Sequence, residues 1–131
     1  MDRQTSPQRQ PGPAGPVLLL VEDSFATRWM AAAYLREAGY QVLEAESAAE
    51  AIGVLSSGIH IDLVFSDVWM PGEINGHEFA GWMAKHHPAV PVLLTSGEPR
   101  EANTIAAGSG RRFVTKPYDL SEVVQHLQAM L

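Results

Sequence analysis

The amino-acid sequence predicts an α/β fold built on one parallel sheet of five strands. Two features of the sequence predict it. Short runs of consecutive apolar residues recur along the chain, and segments with the 3.6-residue periodicity of amphipathic helices lie between them. Because helices cover both faces of a parallel sheet, its strands tend to be apolar at every position. The strands predicted in this way span residues 17–21, 41–45, 63–67, 90–95 and 112–115.

Capping residues predict where the helices begin and end. A side-chain oxygen at the first position accepts a backbone N–H that has no partner inside the helix. The predicted caps are Ser24, Ser47 with Glu50 as a capping box, Asn75 with Glu78, and Asp119 with Glu122. The residues predicted to end the first three helices are Gly39, Gly58 and Pro88. The segment 100–107 is only weakly helical, and residues 100–110 are therefore predicted to be the least ordered part of the domain.

The apolar stripes of these helices predict which residues face the core. The stripe of the first helix comprises Thr27, Ala31, Leu35 and Ala38, and that of the second comprises Ala48, Ala51, Ile52 and Leu55. The stripe of the third comprises Phe79, Trp82 and Met83, and that of the last comprises Leu120, Val123, Val124, Leu127 and Met130 or Leu131.

Composition limits the classes of protein to which the chain can belong. Its 131 residues suit one domain, and we expect residues 1–15 to form a disordered tail before a folded domain at 16–131. The absence of cysteine excludes disulfides and thiolate metal sites, and the net charge of −6 argues against a nucleic-acid partner. No apolar run approaches the roughly 20 residues that cross a membrane, and no signal-peptide pattern opens the chain. We therefore expect a cytoplasmic protein.

Charged and polar residues stand where four of the predicted strands end. Glu22 and Asp23 follow the first strand, Asp67 ends the third, Thr95 ends the fourth and Lys116 follows the fifth. Sheets of this kind commonly have the doubly wound, flavodoxin-like (βα)5 arrangement with strand order 2-1-3-4-5, in which strands 1 and 3 are neighbours. Ligands bind there, in the crevice at the carboxyl ends of the strands. We therefore expect the five side chains to border one site.

Three carboxylates that share a crevice repel one another, and this predicts a cation between them. Mg²⁺ is a hard ion that takes one or two carboxylates and keeps waters and phosphate oxygens as its other ligands. A remaining carboxylate can then act as a nucleophile that accepts a phosphoryl group. Lys116 would supply a second positive charge, and the Thr95 hydroxyl could donate a hydrogen bond to a phosphoryl oxygen. The residues therefore predict a Mg²⁺-dependent phosphorylation site.

Taken together, these residues resemble the receiver domain of two-component response regulators. The resemblance covers residues 17 to 131, and the motifs that carry it are Glu22-Asp23, Asp67 with Met70-Pro71, Thr95, and Lys116-Pro117. It implies that Asp67 is the phosphoacceptor and a ligand of Mg²⁺. Asp23 would bind the ion directly, Glu22 through water, and Trp69 through its backbone carbonyl oxygen.

The resemblance also implies roles at the ends of the last two strands. Thr95 corresponds to the switch hydroxyl, and Lys116 to the lysine that stabilises the phosphoryl group. Phe113 stands at the position of the switch aromatic residue, where a tyrosine is more familiar. A cis peptide bond is common in the family before the residue that corresponds to Pro117. The loop 71–76 is one residue longer than the commonest pattern and is more similar to receivers of hybrid histidine kinases and to single-domain regulators.

A receiver takes a phosphoryl group from a histidine kinase or a histidine phosphotransfer protein, and the resemblance implies this function here. The domain would take part only in its own phosphorylation and dephosphorylation, and so would not be an enzyme in the wider sense. We expect no effector domain after Leu131, so that either output passes through a partner that the sequence does not identify or the protein serves as a phosphate shuttle or sink. The chain could also be a receiver cut from a longer hybrid kinase. We expect a monomer or a weak homodimer.

Two other classes of protein use similar features. Phosphatases of the haloacid dehalogenase class also combine a strand-end Asp, Mg²⁺ and a Lys, but they usually carry a second Asp two residues on, where this chain has Trp69. A flavodoxin-like flavin-binding module would need a phosphate loop rich in Ser, Thr and Gly after the first strand. Glu22 and Asp23 stand there instead and would repel a phosphate that came without a metal.

Overall fold

The computed structural model describes residues 15–70, 72–98 and 112–131. Within these ranges the chain forms five strands and four helices. In chain order they are β1 (Val17–Val21), α1 (Phe25–Glu37), β2 (Gln41–Ala45), α2 (Ala48–Ser56), β3 (Leu63–Asp67), α3 (Gly76–His86), β4 (Val92–Ser96), β5 (Arg112–Thr115) and α4 (Leu120–Met130). The predicted tail, apart from Gly15, and the segment 100–110 that we expect to be poorly ordered lie outside the described residues.

The five strands form one parallel sheet in the order β2-β1-β3-β4-β5. This confirms the predicted flavodoxin-like, doubly wound sheet with strand order 2-1-3-4-5. Successive residues of a strand face opposite sides of the sheet, so β1 contributes to two cores. Leu18 and Leu20 pack with residues of α1 and α4, and Leu19 and Val21 pack with residues of α2 and α3. Burial on both faces explains why β1 is apolar throughout.

Three of the four predicted N-terminal caps form. The side chains of Ser24, Ser47 and Asn75 accept the backbone N–H groups of Thr27, Glu50 and Glu78, respectively. Only the cap at Asn75 is a complete capping box, because the carboxylate of Glu50 accepts the N–H of Glu46, at 2.6 Å, instead of that of Ser47.

The predicted side-chain cap at Asp119 is wrong, since its carboxylate makes no capping hydrogen bond. Its backbone carbonyl oxygen accepts the N–H groups of Glu122 and Val123 instead, at 2.9 and 3.2 Å. The N–H that the side chain was expected to accept is therefore already used by the main chain.

The fourth strand and two helix faces differ from the predictions in detail. The strand begins at Val92 rather than at residue 90, because the N–H of Val90 donates to the carbonyl of His87 in a turn. In α1, Ala31 and Leu35 are buried as expected, but Thr27 and Ala38 are exposed. Fewer residues of α1 are buried against the sheet than the 3.6-residue periodicity predicts.

Several other predicted core residues are less buried than expected, and among them Ile52, Leu120, Val124 and Met130 are only half-buried. Trp82 is half-buried in α3, and Leu131, after the end of α4, is exposed. Among the residues that the structure describes, no helix has both the length and the apolar character needed to cross a membrane.

Candidate functional site

Asp67 is the last residue of β3 and lies at the carboxyl edge of the sheet, between β1 and β4. In the sheet it pairs with Thr95 of β4. Its residue surface is only 6% exposed. Oδ1 accepts a hydrogen bond from the backbone N–H of Trp69, with an N to O distance of 3.1 Å. Oδ2 accepts one from the ammonium group of Lys116, with an Nζ to O distance of 2.5 Å. The predicted nucleophile is therefore buried, oriented by the chain that follows it and paired with a lysine that follows β5, two strands away in the same sheet.

The two acids after β1 lie beside Asp67. The pairing of β1 with β2 extends one residue past the strand, since the N–H of Glu22 donates to the carbonyl of Ala45 at 3.0 Å. The chain then turns into α1, which leaves Glu22 buried and Asp23 exposed. One carboxylate oxygen each from Glu22, Asp23 and Asp67 lies within 4.8 Å of the other two. The structure therefore brings the three predicted acids together.

Burial raises the pKa of Glu22. The N–H of Ser24, which donates to Oε2 of Glu22 at 3.0 Å, acts in the opposite direction, and so does the positive charge of Lys116. The negative charge of Asp67 and a hydrogen bond from Asp23 raise the pKa further. A cation between the three carboxylates would favour their charged forms, and a set of hard oxygen ligands suits Mg²⁺.

The hydroxyl of Thr95 is a second sign that the site is built to hold a ligand. Thr95 is 2% exposed, and its Oγ1 has no hydrogen-bond partner among the described residues. A buried hydroxyl without a partner costs free energy. Because Thr95 stands opposite Asp67 in the sheet, an acceptor oxygen bound at Asp67 could supply the missing hydrogen bond. The residues present therefore fit a bound phosphoryl group with its Mg²⁺.

Lys116 reaches Asp67 from the loop after β5. Its backbone N–H donates to the carbonyl of Ser96 at 2.9 Å, which extends the pairing of β4 and β5 by one residue. The peptide bond between Lys116 and Pro117 is cis, the configuration that the resemblance to the family implied. Phe113 lies in β5 and packs, half-buried, against the core between the sheet and α2 and α3.

Trp69 follows β3 by two residues. Its residue surface is 57% exposed, and its ring meets the ring of His77 edge to face, with centroids 5.9 Å apart. The backbone N–H of Trp69 contacts Asp67, whereas the role of its carbonyl oxygen toward a metal stays a prediction.

Three residues at the site were not singled out from the sequence. Gly76 opens α3, and its N–H donates to the carbonyl of Val68 at 2.6 Å. A Cβ at Gly76 would lie 2.4 Å from the Cα of Val68 and 2.6 Å from the carbonyl oxygen of Asp67. Any residue with a Cβ at position 76 would therefore clash with the main chain at the end of β3, so the loop needs glycine there. The position of Gly76 directly after the helix cap Asn75 was the signal that could have identified it.

Tyr118 and Arg28 are the other two. The ring of Tyr118 packs edge to face on Phe65, with centroids 5.8 Å apart, and lines a cavity beside Glu22 and Asp67. Burial raises the pKa of its hydroxyl to about 12, with smaller contributions from the charges of the two carboxylates. Arg28 donates from Nη1 to the backbone carbonyl of Glu22 at 2.8 Å. Nothing in the spacing of these residues links them to the acids, because both contacts arise from folding.

Comparison with known proteins gives a consistent result. The family model described as "Response regulator receiver domain" matches residues 18–128. The sensor kinase CckA of Brucella abortus is 34% identical over 117 residues, which are 87% of this chain and 12% of that protein. The phosphate regulon transcriptional regulatory protein PhoB of Pseudomonas aeruginosa is 31% identical over 121 residues, which are 89% of this chain and 52% of that protein. The chain thus spans at most about half the length of these two relatives.

Solved structures agree with these matches. The receiver domain of the hybrid histidine kinase CckA has a TM-score of 0.74 and 34% identity, and the match covers 88% of this chain and 98% of that one. The response regulator TrrA of Thermotoga maritima, solved in complex with Mg(2+)-BeF, has a TM-score of 0.80 and 27% identity over 89% of this chain and 100% of that one. With the fold, the strand-end acids and these matches in agreement, the chain belongs to the response regulator receiver domains of two-component systems.

Proposed function

We propose that this receiver domain takes a phosphoryl group from a histidine kinase or a histidine phosphotransfer protein onto Asp67. The observation that carries the proposal is the meeting of Asp67, Glu22 and Asp23, with oxygens within 4.8 Å of one another, beside the ammonium group of Lys116. Catalysis of phosphoryl transfer depends mainly on positioning and on neutralising charge. A buried nucleophile held between acids and a lysine provides both.

The chemical step forms one bond and breaks one. An oxygen of the Asp67 carboxylate bonds to phosphorus while the bond from phosphorus to a histidine nitrogen of the donor breaks. The imidazole leaves as a neutral ring when its other nitrogen carries a proton, and the product is an acyl phosphate. Asp67 is suited to this role because its N–H contact from Trp69 and its ion pair with Lys116 hold the carboxylate at the edge of the sheet.

The metal ligands that we propose are the same as those expected from the sequence. Asp23 and Asp67 would bind Mg²⁺ directly, Glu22 through water, and Trp69 through its backbone carbonyl oxygen. Bound Mg²⁺ neutralises the charge on the transferring group. Three hard oxygen donors within 4.8 Å of one another support a cation at this place.

Thr95 and Lys116 would stabilise the phosphoryl group once it is bound. The hydroxyl of Thr95, which lacks a partner among the described residues, would donate to one phosphoryl oxygen, and Lys116 would contact another. Movement of Thr95 toward the phosphoryl group would leave space that the ring of Phe113 could enter, which is the switch role proposed for the pair. Output would then pass to a protein partner that reads this change.

The exposed face of α1 supports a protein as the donor. Phe25, Trp29, Met30 and Tyr34 are 70, 61, 61 and 41% exposed, and two spacings of four residues, 25 to 29 and 30 to 34, place them in two rows on the exposed side of the helix. Large exposed apolar patches mark interaction sites. Met30 also lines a groove with Lys116 and Tyr118, so a partner on this face would lie next to Asp67.

The decisive experiment treats the protein with acetyl phosphate and measures the added mass. We expect labelling of the wild type with Mg²⁺, none after chelation with EDTA, and none in Asp67→Asn. Asp119→Asn is the matched control, because it makes the same chemical change in an acid outside the cluster and should leave labelling intact. Labelling of Asp67→Asn at the wild-type level would refute the assignment. A phosphatase of the haloacid dehalogenase class is not favoured, since Trp69 occupies the position of its general acid.

We further propose that residues 16–131 form the whole receiver and that it works in the cytoplasm as a monomer or weak homodimer. Sedimentation with and without beryllofluoride, which mimics the phosphoryl group, would test the oligomeric state. A tight dimer in both conditions would contradict it.

A further inference from the structure

The side chain of Arg28 joins the acidic pair after β1 to the neighbouring strand β2. Its Nη1 donates to the backbone carbonyl oxygen of Glu22 at 2.8 Å. Its Nε lies 3.3 Å from Oε1 of Glu44, a residue of β2. The Arg28 side chain is only 12% exposed, so both contacts are partly shielded from water and are stronger than contacts of the same length on the surface.

The carbonyl of Glu22 lies just beyond the regular sheet. The N–H of the same residue still pairs with Ala45 of β2, whereas the chain then leaves the sheet through Asp23 to enter α1. The N–H of Ser24 holds the side chain of Glu22 through Oε2, but the peptide unit between Glu22 and Asp23 is held by Arg28. The orientation of that unit sets the direction in which the Asp23 carboxylate leaves the main chain.

We propose that Arg28 is a positioning residue that orients the Glu22–Asp23 peptide so that both carboxylates can bind a divalent cation together with Asp67. This inference rests on the proposed function, since it assumes that the acid cluster binds Mg²⁺. Glu44 fixes the guanidinium from the other side, so that Arg28 links β2, the main chain of Glu22 and the first turns of α1. The guanidinium also lies 5.6 Å from the centre of the Phe25 ring, which limits its movement further.

The planar guanidinium is suited to this task, because it presents several N–H donors in fixed directions and can satisfy a carbonyl and a carboxylate at once. A lysine carries the same charge on a flexible stem and has no such fixed geometry.

Arg36 provides a matched control in the same helix. Its Nη2 lies 3.2 Å from Oε2 of Glu44 and donates to the carbonyl of Val42 at 2.9 Å. Both partners belong to β2, so Arg36 ties α1 to the sheet in the same way as Arg28 but through residues outside the acid cluster. Replacing either arginine by methionine removes one positive charge and one contact with Glu44.

The direction in which the affinity for Mg²⁺ changes distinguishes a loss of positioning from a loss of charge. Loss of a positive charge near an acidic site strengthens cation binding by simple electrostatics, and both methionine variants share this effect. Loss of positioning weakens cation binding, and only Arg28→Met should show it. Contacts that orient metal ligands typically change metal affinity by about 10- to 100-fold. We expect the dissociation constant for Mg²⁺ to rise about tenfold in Arg28→Met, at the lower end of that range, because the contact is to the main chain.

The experiment measures urea unfolding of the full chain at matched ionic strength, with MgCl₂ and with NaCl. The stability gained from Mg²⁺ reports the affinity of the folded protein for the ion. We expect both methionine variants to be less stable in NaCl, but only Arg28→Met to gain less stability from MgCl₂ than the wild type. Arg28→Lys, which keeps the charge and is more certain to fold, should show the same deficit in part.

The outcomes distinguish the two proposals. If the wild type gains no stability from MgCl₂, the metal part of the proposed function fails, and this inference fails with it. If the wild type gains stability and Arg28→Met and Arg28→Lys gain as much as Arg36→Met, the positioning role alone is refuted. A deficit confined to the Arg28 variants supports it.

Discussion

The ammonium nitrogen of Lys116 lies 2.5 Å from Oδ2 of Asp67, although the two residues are 49 positions apart in the sequence. Asp67 ends β3 and Lys116 follows β5, with β4 between the two strands in the sheet. The contact therefore exists only when β3, β4 and β5 pair in their native register. It joins a nearly buried carboxylate to a lysine whose side chain is 36% exposed.

Lys116→Met should lower the free energy of unfolding when Mg²⁺ is absent. The substitution leaves the buried Asp67 carboxylate without its cation, at a cost of about 1–2 kcal/mol, which is less than for a fully buried pair because water screens the lysine. Urea unfolding in EDTA measures the change. In an Asp67→Asn background the same substitution should cost less, since the charge that it exposes is gone. An equal loss of the free energy of unfolding in both backgrounds would show that the ion pair between Lys116 and Asp67 makes no specific contribution to stability.

Substitution of the exposed α1 face should slow phosphotransfer from a protein donor and leave labelling by acetyl phosphate unchanged. The double variant Trp29→Gln, Met30→Gln removes apolar contact area without touching Asp67, and a contribution of about 1.4 kcal/mol would slow transfer roughly tenfold. The measurement compares transfer from a phosphorylated histidine kinase with labelling by acetyl phosphate. Ile59→Gln, an exposed apolar residue outside α1, is the control. Equal slowing with both donors would contradict the docking role.

Phosphorylated Asp67 should be long-lived, and Trp69→Asn should shorten its life several-fold. Hydrolysis needs a water in line with the phosphorus atom, and from the resemblance to the family we expect Trp69 and Gly97 to border that path. Trp69 is bulky and has only an indole N–H donor, and Gly97 has no side chain to orient a water. The decay of the phosphorylated protein is followed by mass, with Trp29→Asn as the control. Because Trp69 is 57% exposed as a whole residue, unchanged decay in Trp69→Asn would show that its ring points away from the path.

Gly76→Ala should destabilise the fold by about 2 kcal/mol or more, because the added methyl group would overlap backbone atoms that cannot move aside. A Cβ at Gly76 would lie within 2.4 to 2.8 Å of main-chain atoms of Asp67 and Val68. Gly81→Ala, in the same helix, meets nothing within 4 Å and should stabilise by about 0.5–1 kcal/mol. Thermal and urea unfolding of both variants measure the difference. Similar stability in the two variants would mean that the loop can open without cost.

Asp62 should make stability depend on acid pH. Its Oδ2 accepts the N–H of Val17 at 2.8 Å, and this hydrogen bond, with a smaller contribution from His60, lowers the pKa of Asp62 below its usual 3.8. A lowered pKa in the folded state means that the stabilisation is present above the unfolded value and is lost as the pH falls through the folded value.

Asp62→Asn keeps an oxygen acceptor and removes the charge. It should therefore be less stable than the wild type near neutral pH, and the difference should shrink as the pH falls below the usual pKa of 3.8 and vanish below the lowered pKa of the folded state. Urea unfolding across this range tests it, with Asp119→Asn as a control for the loss of one carboxylate elsewhere in the chain. A difference that persists unchanged in acid would refute the assignment.

Much of the fold and the central acids of the site could be predicted from local patterns. Apolar runs such as 63–67 show strands buried on both faces, and a polar residue directly after such a run lies at the edge of the sheet. Ser24 and Asn75 cap helices through contacts within three or four residues. These features depend on neighbours in the sequence, so the sequence by itself determined them.

Other features were decided only when distant segments packed together. The periodicity of α1 could not show that Phe25, Trp29 and Met30 remain exposed, because exposure depends on which face the sheet leaves uncovered. The contact of Arg28 with the Glu22 carbonyl likewise requires a side chain of α1 to fold back over the end of β1.

The unpartnered hydroxyl of Thr95 and the tight approach at Gly76 have the same origin. Thr95 is buried because β4 lies between two other strands, and Gly76 is confined because its loop closes on the end of β3. The sequence determined which groups can do chemistry, since that is a property of residue type and local pattern. The tertiary structure decided which of them meet, because contacts between atoms of distant residues depend on the register of the sheet and the packing of helices against it.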